Sequence, residues 1–139
     1  MAIDIHGKWQ KREKNSKNWQ DVKGEFKWFN GNRCREFFFF LNDFRNNATD
    51  EVEKELMVVL SEDYDDEPPS TFLNKSIDEL NSEGCNFWGA GYLTLEELND
   101  LKKLIACDLK ETLESFTQEI EANANDKNAE YRVIFVFDN

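Results

Sequence analysis

Hydrophobic and polar positions alternate at the start of the chain. Ile3, Ile5, Gly7 and Trp9 face Asp4, His6, Lys8 and Gln10 in the period-2 pattern of a strand with one buried side. The polar run KREKNSKN turns it, and the stretch from Trp19 to Phe29 mixes aromatic and polar residues again until Asn30-Gly31-Asn32 breaks the pattern. An N-terminal hairpin is predicted. At the far end, YRVIFVFDN sets Val133, Phe135 and Phe137 against Ile134 and Val136, so both faces are apolar. That predicts a central strand, covered on both sides and lying beside the N-terminal one.

Between these strands the period changes. GNRCREFFFFLNDFRNN reads as a helix from Asn32, and at about 100° per residue Phe37, Phe38, Phe40, Leu41 and Phe44 fall on one broad arc with Arg33, Cys34 and Arg45. Phe39 stands on the opposite side with Arg35, Asn42 and Asp43, where it is either a lone exposed apolar residue or part of a self-association or partner surface. From Asp50 to Glu62 the stripe Val52, Leu56, Val59 and Leu60 favours a helix capped by Asp50 with Glu53, although MVVLS alone would serve as a strand. SEDYDDEPPS is a solvated acidic loop closed by two prolines, without the ligand spacing or glycine of a calcium-binding loop. A short helix follows around Ser76 to Asn81, then the irregular aromatic loop GCNFWGAGY. YLTLEEL is the strongest local signal: Thr94 and Glu97 form a capping box, with Leu93 and Leu98 placed as a hydrophobic staple. The stripe Leu98, Leu101, Ile105, Leu109, Leu113, Phe116, Ile120 carries one long helix over about 94–122. The expected fold is α+β: a single domain, residues 1–139, with a small, mostly antiparallel sheet packed by helices.

Charge sharpens this picture. The net charge is −12, but residues 1–36 hold nine Lys/Arg against five Asp/Glu, while 37–139 hold eight against 24. A basic end and an acidic body are implied, a field that opposes duplex nucleic acid over most of the surface and favours basic proteins. Three cysteines, Cys34, Cys85 and Cys107, without a C-x-x-C, suggest neither a disulfide framework nor a zinc site and fit a reducing cytoplasm. MAIDIHGKWQ has no apolar export core, and no run approaches the ~18 apolar residues of a membrane span.

Several segments in order, D-I-H-G, the G-N-R of Gly31 to Arg33, the FRNN of Phe44 to Asn47, WGAGYLTLEEL and the terminal RVIFVFDN, resemble a family of small proteins encoded by tailed bacteriophages and prophages. In that family the helix entry is typically R-N-Y and the helix ends in V-R-N. Here Arg33 and Arg45-Asn46 match, while Cys34 and Arg35 replace the Asn-Tyr pair. Gly89-Ala90-Gly91-Tyr92 occupies the place of a His-Ser pair, and the central G-L-P-x-D pattern is missing. The resemblance implies an accessory protein acting in the cytoplasm of an infected bacterial host, and the departures weaken any catalytic role.

Three functional readings follow. The first is counter-defence by binding and sequestering a nucleotide immune signal without turnover. Its pocket would use Arg33, Arg45, Asn46, Trp88 and Tyr92, with Asp4 and His6 nearby. Two considerations oppose it: Arg33 and Arg45 lie roughly 18 Å apart along a helix, and arginine stems on an apolar arc commonly snorkel or form salt bridges. The second is an acidic, DNA-mimic-like inhibitor of a host nuclease or defence effector. The third is a metal-dependent enzyme using Asp4, His6 and Asp138, against the plainer reading of a hydrogen-bonded structural histidine. No cofactor is implied by any motif, and a homo-oligomer through Phe39 remains open.

Overall fold

The computed structural model describes residues 4–22, 48–104 and 128–138, together with helical positions 114, 117, 118, 120 and 121. The phenylalanine-rich segment, with Arg33, Phe39, Arg45 and Asn46, lies outside the described residues, as does the predicted hairpin strand beyond Val22. Four strands, β1 (Asp4–Glu13), β2 (Gln20–Asp21), β3 (Phe87–Thr94) and β4 (Ala129–Asp138), form one antiparallel sheet in the order β2-β1-β4-β3. The helices are α1 (Asp50–Asp63), α2 (Ile77–Ser82) and α3 (Leu95–Leu104). The α+β expectation holds, including the placement of the last strand beside the first. The residues gather into two compact units, one of Met1–Gly7, Arg35–Tyr92 and Ile134–Asn139, the other of Lys8–Cys34 and Leu93–Val133.

In the first unit, α1 forms where the ambiguous Asp50–Glu62 pattern favoured a helix. Its cap is Thr49 and not Asp50: the Thr49 hydroxyl accepts from the Val52 amide at 3.3 Å, leaving Asp50, Glu51 and Glu53 to meet the positive end of the helix dipole. The predicted stripe is buried, with Met57 added to Val52, Leu56, Val59 and Leu60. Most of these side chains pack with Phe72, Leu80, Phe87, Ala90, Ile134 and Val136 into one apolar cluster, each large member contributing roughly 1.5–3 kcal/mol by leaving water. Ser76 caps α2 by accepting from the Glu79 amide at 3.1 Å, and Glu53 Oε1 accepts from the Ile77 amide at 2.5 Å, tying α1 to the start of α2.

The segment GCNFWGAGY corrects the sequence reading: from Phe87 it is a strand, not an irregular loop. Phe87 and Ala90 both join the apolar cluster, and Tyr92 packs against it, whereas Trp88 packs against Phe137 with ring centroids 4.6 Å apart. Along the strand the odd positions Phe87, Gly89, Gly91 and Leu93 are buried, while Trp88, Tyr92 and Thr94 are partly exposed. Gly89 has a left-handed φ of 66°, open to glycine at no steric cost. With glycine at two of the buried positions, the apolar alternation by which a strand is recognised is weak in the sequence.

In the second unit, Thr94 ends β3 and opens α3 as predicted. The Glu97 amide donates to Thr94 Oγ1 at 3.1 Å, and the Thr94 amide donates back to Glu97 Oε1 at 3.2 Å. Leu93 and Leu98, the two staple positions, are fully buried. The polar face read into β1 is also partly covered: Gln10 is 1% exposed. It accepts from Arg132 Nε at 2.9 Å and donates to Asp21 Oδ1 at 3.2 Å, so a buried amide is satisfied at both ends. β1 runs on through Glu13, past the predicted turn, because Arg12 leaves the polar run to meet Glu130, donating from Nε and Nη2 at 3.0 and 2.9 Å. Trp19 lies over both guanidiniums, 4.5 Å from Arg12 and 4.1 Å from Arg132.

Candidate functional site

The end of α1 gathers the chemistry of the first unit. Leu56, Leu60 and Tyr64 follow one another at four-residue spacing, so the apolar stripe carries one position beyond the helix to its C-cap. Tyr64 accordingly packs inward, its ring stacked on Phe72 at 5.5 Å and inclined to His6 at 5.2 Å. The acidic turn is thus not solvated throughout, as the sequence suggested. Its tyrosine is anchored, and the anchor fixes the carboxylates on either side.

His6 stands between two of these groups. Its Nδ1 lies 2.8 Å from Asp63 Oδ2, and since a carboxylate only accepts, Nδ1 carries a proton. Its Nε2 lies 3.3 Å from the Tyr64 hydroxyl and 3.6 Å from Asp138 Oδ2. Tyr64 donates its hydroxyl proton to Asp138. Burial, that hydrogen bond and the charges of Asp138, Asp4 and Asp63 all push the Tyr64 phenol well above its ordinary range. It is held as a neutral donor, the opposite of an activated nucleophile.

The sequence paired Asp4, His6 and Asp138, and the fold does bring His6 and Asp138 together, with Asp4 close enough to act on Tyr64 by its charge. It adds Asp63 and Tyr64, which sequence reasoning missed. No group of three or more His, Cys, Asp or Glu among the described residues is arranged to hold a metal ion. Both ring nitrogens of His6 already face protein partners.

Of the residues assigned to a nucleotide pocket, Trp88 packs against Phe137 and Tyr92 against the cluster containing Ile134 and Val136. Arg33, Arg45 and Asn46 lie outside the described residues. Of the cysteines, Cys85 is free and exposed.

What the first unit does present is negative charge. From Asp50 to Glu83 there are twelve Asp/Glu against two lysines, and ten of the twelve carboxylates are exposed. One lysine, Lys75, is bound by both carboxylate oxygens of Glu83, at 2.9 and 2.8 Å. Glu62, Asp63, Asp65, Asp66 and Glu67 crowd the C-terminal end of α1, whose last turn holds no basic residue. On the basic side of the sequence, Lys8 is paired with Asp21 at 3.0 Å, Arg12 is paired with Glu130, and Arg132 is 5% exposed beneath Trp19.

No helix among the described residues is long and apolar enough to cross a membrane. Comparison with profiles of known protein families, with curated proteins and with solved structures returned no match.

Proposed function

We propose that this chain is a non-catalytic binding protein that engages a cationic protein surface through the acidic shoulder of residues 61–67 and the exposed carboxylates of α1 and α2. One observation carries the reading: five carboxylates stand at the end of α1 where the helix dipole is already negative, with no basic residue in the last turn. Asp63 is bound to His6, but the other four oppose the fold, Glu62 in the last turn by about 0.3–1 kcal/mol at low salt and the three past the cap by less. Stability therefore does not account for these four, and a cationic partner would relieve them. Packing of Tyr64 holds the shoulder in place, so the charge is presented on a fixed surface and not on a loose tail.

Combined with the resemblance to small phage proteins, the target is a nucleic-acid-binding host protein, a nuclease or defence effector, met in the cytoplasm of the infected bacterium. Dense, fixed carboxylates compete for the same lysine and arginine groups that hold a phosphate backbone. The test is capture of host proteins on the immobilised chain, followed by displacement with duplex DNA and with salt. A retained protein that DNA displaces, and that a Glu62→Gln, Asp65→Asn, Asp66→Asn variant fails to hold, supports the reading. Retention unchanged by the three neutralisations overturns it.

A further inference from the structure

β3 lies at an edge of the sheet, with β4 as its neighbour. Its residues, FWGAGYLT, include no charged residue and no proline, two devices by which edge strands commonly resist pairing with another chain. At Phe87 this edge is closed in another way. The chain leaves α2 through Gly84, at a φ of 107° that residues with side chains rarely adopt, and returns so that Phe87 lies beside Asn81. Leu80, fully buried, fixes the last turn of α2 and with it the place of Asn81. The Phe87 amide donates to Asn81 Oδ1 at 2.8 Å, and Asn81 Nδ2 donates back to the Phe87 carbonyl at 2.9 Å. That reciprocal exchange is the one made by a directly opposed residue of a neighbouring antiparallel strand. The N–H and C=O of a strand residue point the same way, so both Phe87 groups face away from β4. Further along the strand, the Ala48 amide donates to the Ala90 carbonyl at 3.2 Å.

We infer that Asn81 is a surrogate strand: its side-chain amide holds the outward groups of Phe87 and keeps this end of the β3 edge from pairing with a second copy of the chain. A second copy presents the same uncharged segment, so two opened edges match about a twofold axis, Phe87 opposite Phe87. With Asn81 in place both groups are already satisfied, and such pairing gains nothing there. Without it they turn to water or to the other edge. A single reciprocal pair contributes little by itself, so the association belongs to high protein concentration. The device does not depend on which partner the acidic shoulder binds.

Sedimentation velocity of the natural chain and of Asn81→Ala, over a wide range of protein concentration, reads the device once far-UV circular dichroism has shown the variant to be folded. The average mass of Asn81→Ala should climb with concentration above that of the natural chain, towards double. Adding Asn86→Lys should return it to the natural value, because a lysine at the exposed start of the strand is itself a barrier to edge pairing. Lysine also reduces the net charge of −12, so general repulsion between copies cannot produce that reversal. If Asn81→Ala does not fold, Asn81→Ser carries the test: its hydroxyl serves only one Phe87 group at a time, and the rise should be smaller but in the same direction. A folded variant whose mass equals that of the natural chain at every concentration, or a rise that Asn86→Lys leaves untouched, would overturn the inference.

Discussion

Neutralising Glu62, Asp65 and Asp66 should make the protein more stable while making it a worse binder. None of the three forms a hydrogen bond or ion pair among the described residues, so their replacement by Gln, Asn and Asn removes no favourable contact there. Glu62 lies in the last turn of α1, and Asp65 and Asp66 lie just past its C-cap, Tyr64. Each opposes the helix dipole, by about 0.3–1 kcal/mol at low salt, less for the two beyond the cap. Repulsion between neighbouring carboxylates adds a few tenths, since two charges about 7 Å apart in water interact by about 0.6 kcal/mol. The expected gain is about 1–2 kcal/mol. Screening should remove most of it, because the Debye length falls from about 30 Å at 0.01 M salt to about 3 Å at 1 M. Urea unfolding of the natural chain and the triple variant at those two salt concentrations measures the difference. No gain at low salt, or a gain of the same size in high salt, would refute the reasoning. Asp63 is left in place because it serves His6.

Three further changes probe the framework. Tyr64→Phe keeps the stack on Phe72 and removes the donor to Asp138, and should lower stability by about 1–2 kcal/mol at neutral pH. The sign with pH follows from the raised phenol: the folded state keeps its proton where the unfolded chain releases it, so the hydroxyl's contribution is full below the unfolded phenol pKa of about 10 and fades above it. The gap between the natural chain and the variant, followed by urea titration, should therefore narrow above about pH 10. Gly89→Ala forces a side chain into the left-handed region and should destabilise by about 1–2 kcal/mol, measured as a lower thermal midpoint. Thr94→Ala and Glu97→Ala should each cost about 0.5–2 kcal/mol, and the double variant less than their sum, since both break one reciprocal capping box.

The sequence showed most clearly where one period ran uninterrupted. Val52, Leu56, Val59 and Leu60 marked α1, Thr94 with Glu97 marked the start of α3, and the doubly apolar stretch to Phe137 marked the central strand. β3 was hidden because two of its four buried odd positions, Gly89 and Gly91, carry no side chain, so the alternation seen in its burial is not written in residue types. The cap of α1 was assigned one residue late, since Asp50 and Thr49 are both good capping types and only backbone geometry separates them. At the candidate site, Asp4 and His6 were legible as neighbours on one face of β1, and Asp138 as a strand-end carboxylate. Asp63 and Tyr64 were not, because the contacts that define them span 57 and 58 residues of chain. A local signal for Tyr64 did exist, in its four-residue spacing from Leu60, but the surrounding acidic run read as solvated loop.

The most direct test of the binding account is native mass spectrometry of the protein purified under gentle, low-salt conditions from phage-infected bacteria. The account predicts a mass increase corresponding to a host protein, at a fixed stoichiometry, which disappears as salt is raised. A chain that instead carries a nucleotide-sized adduct or a bound metal ion, with no protein partner, would contradict it.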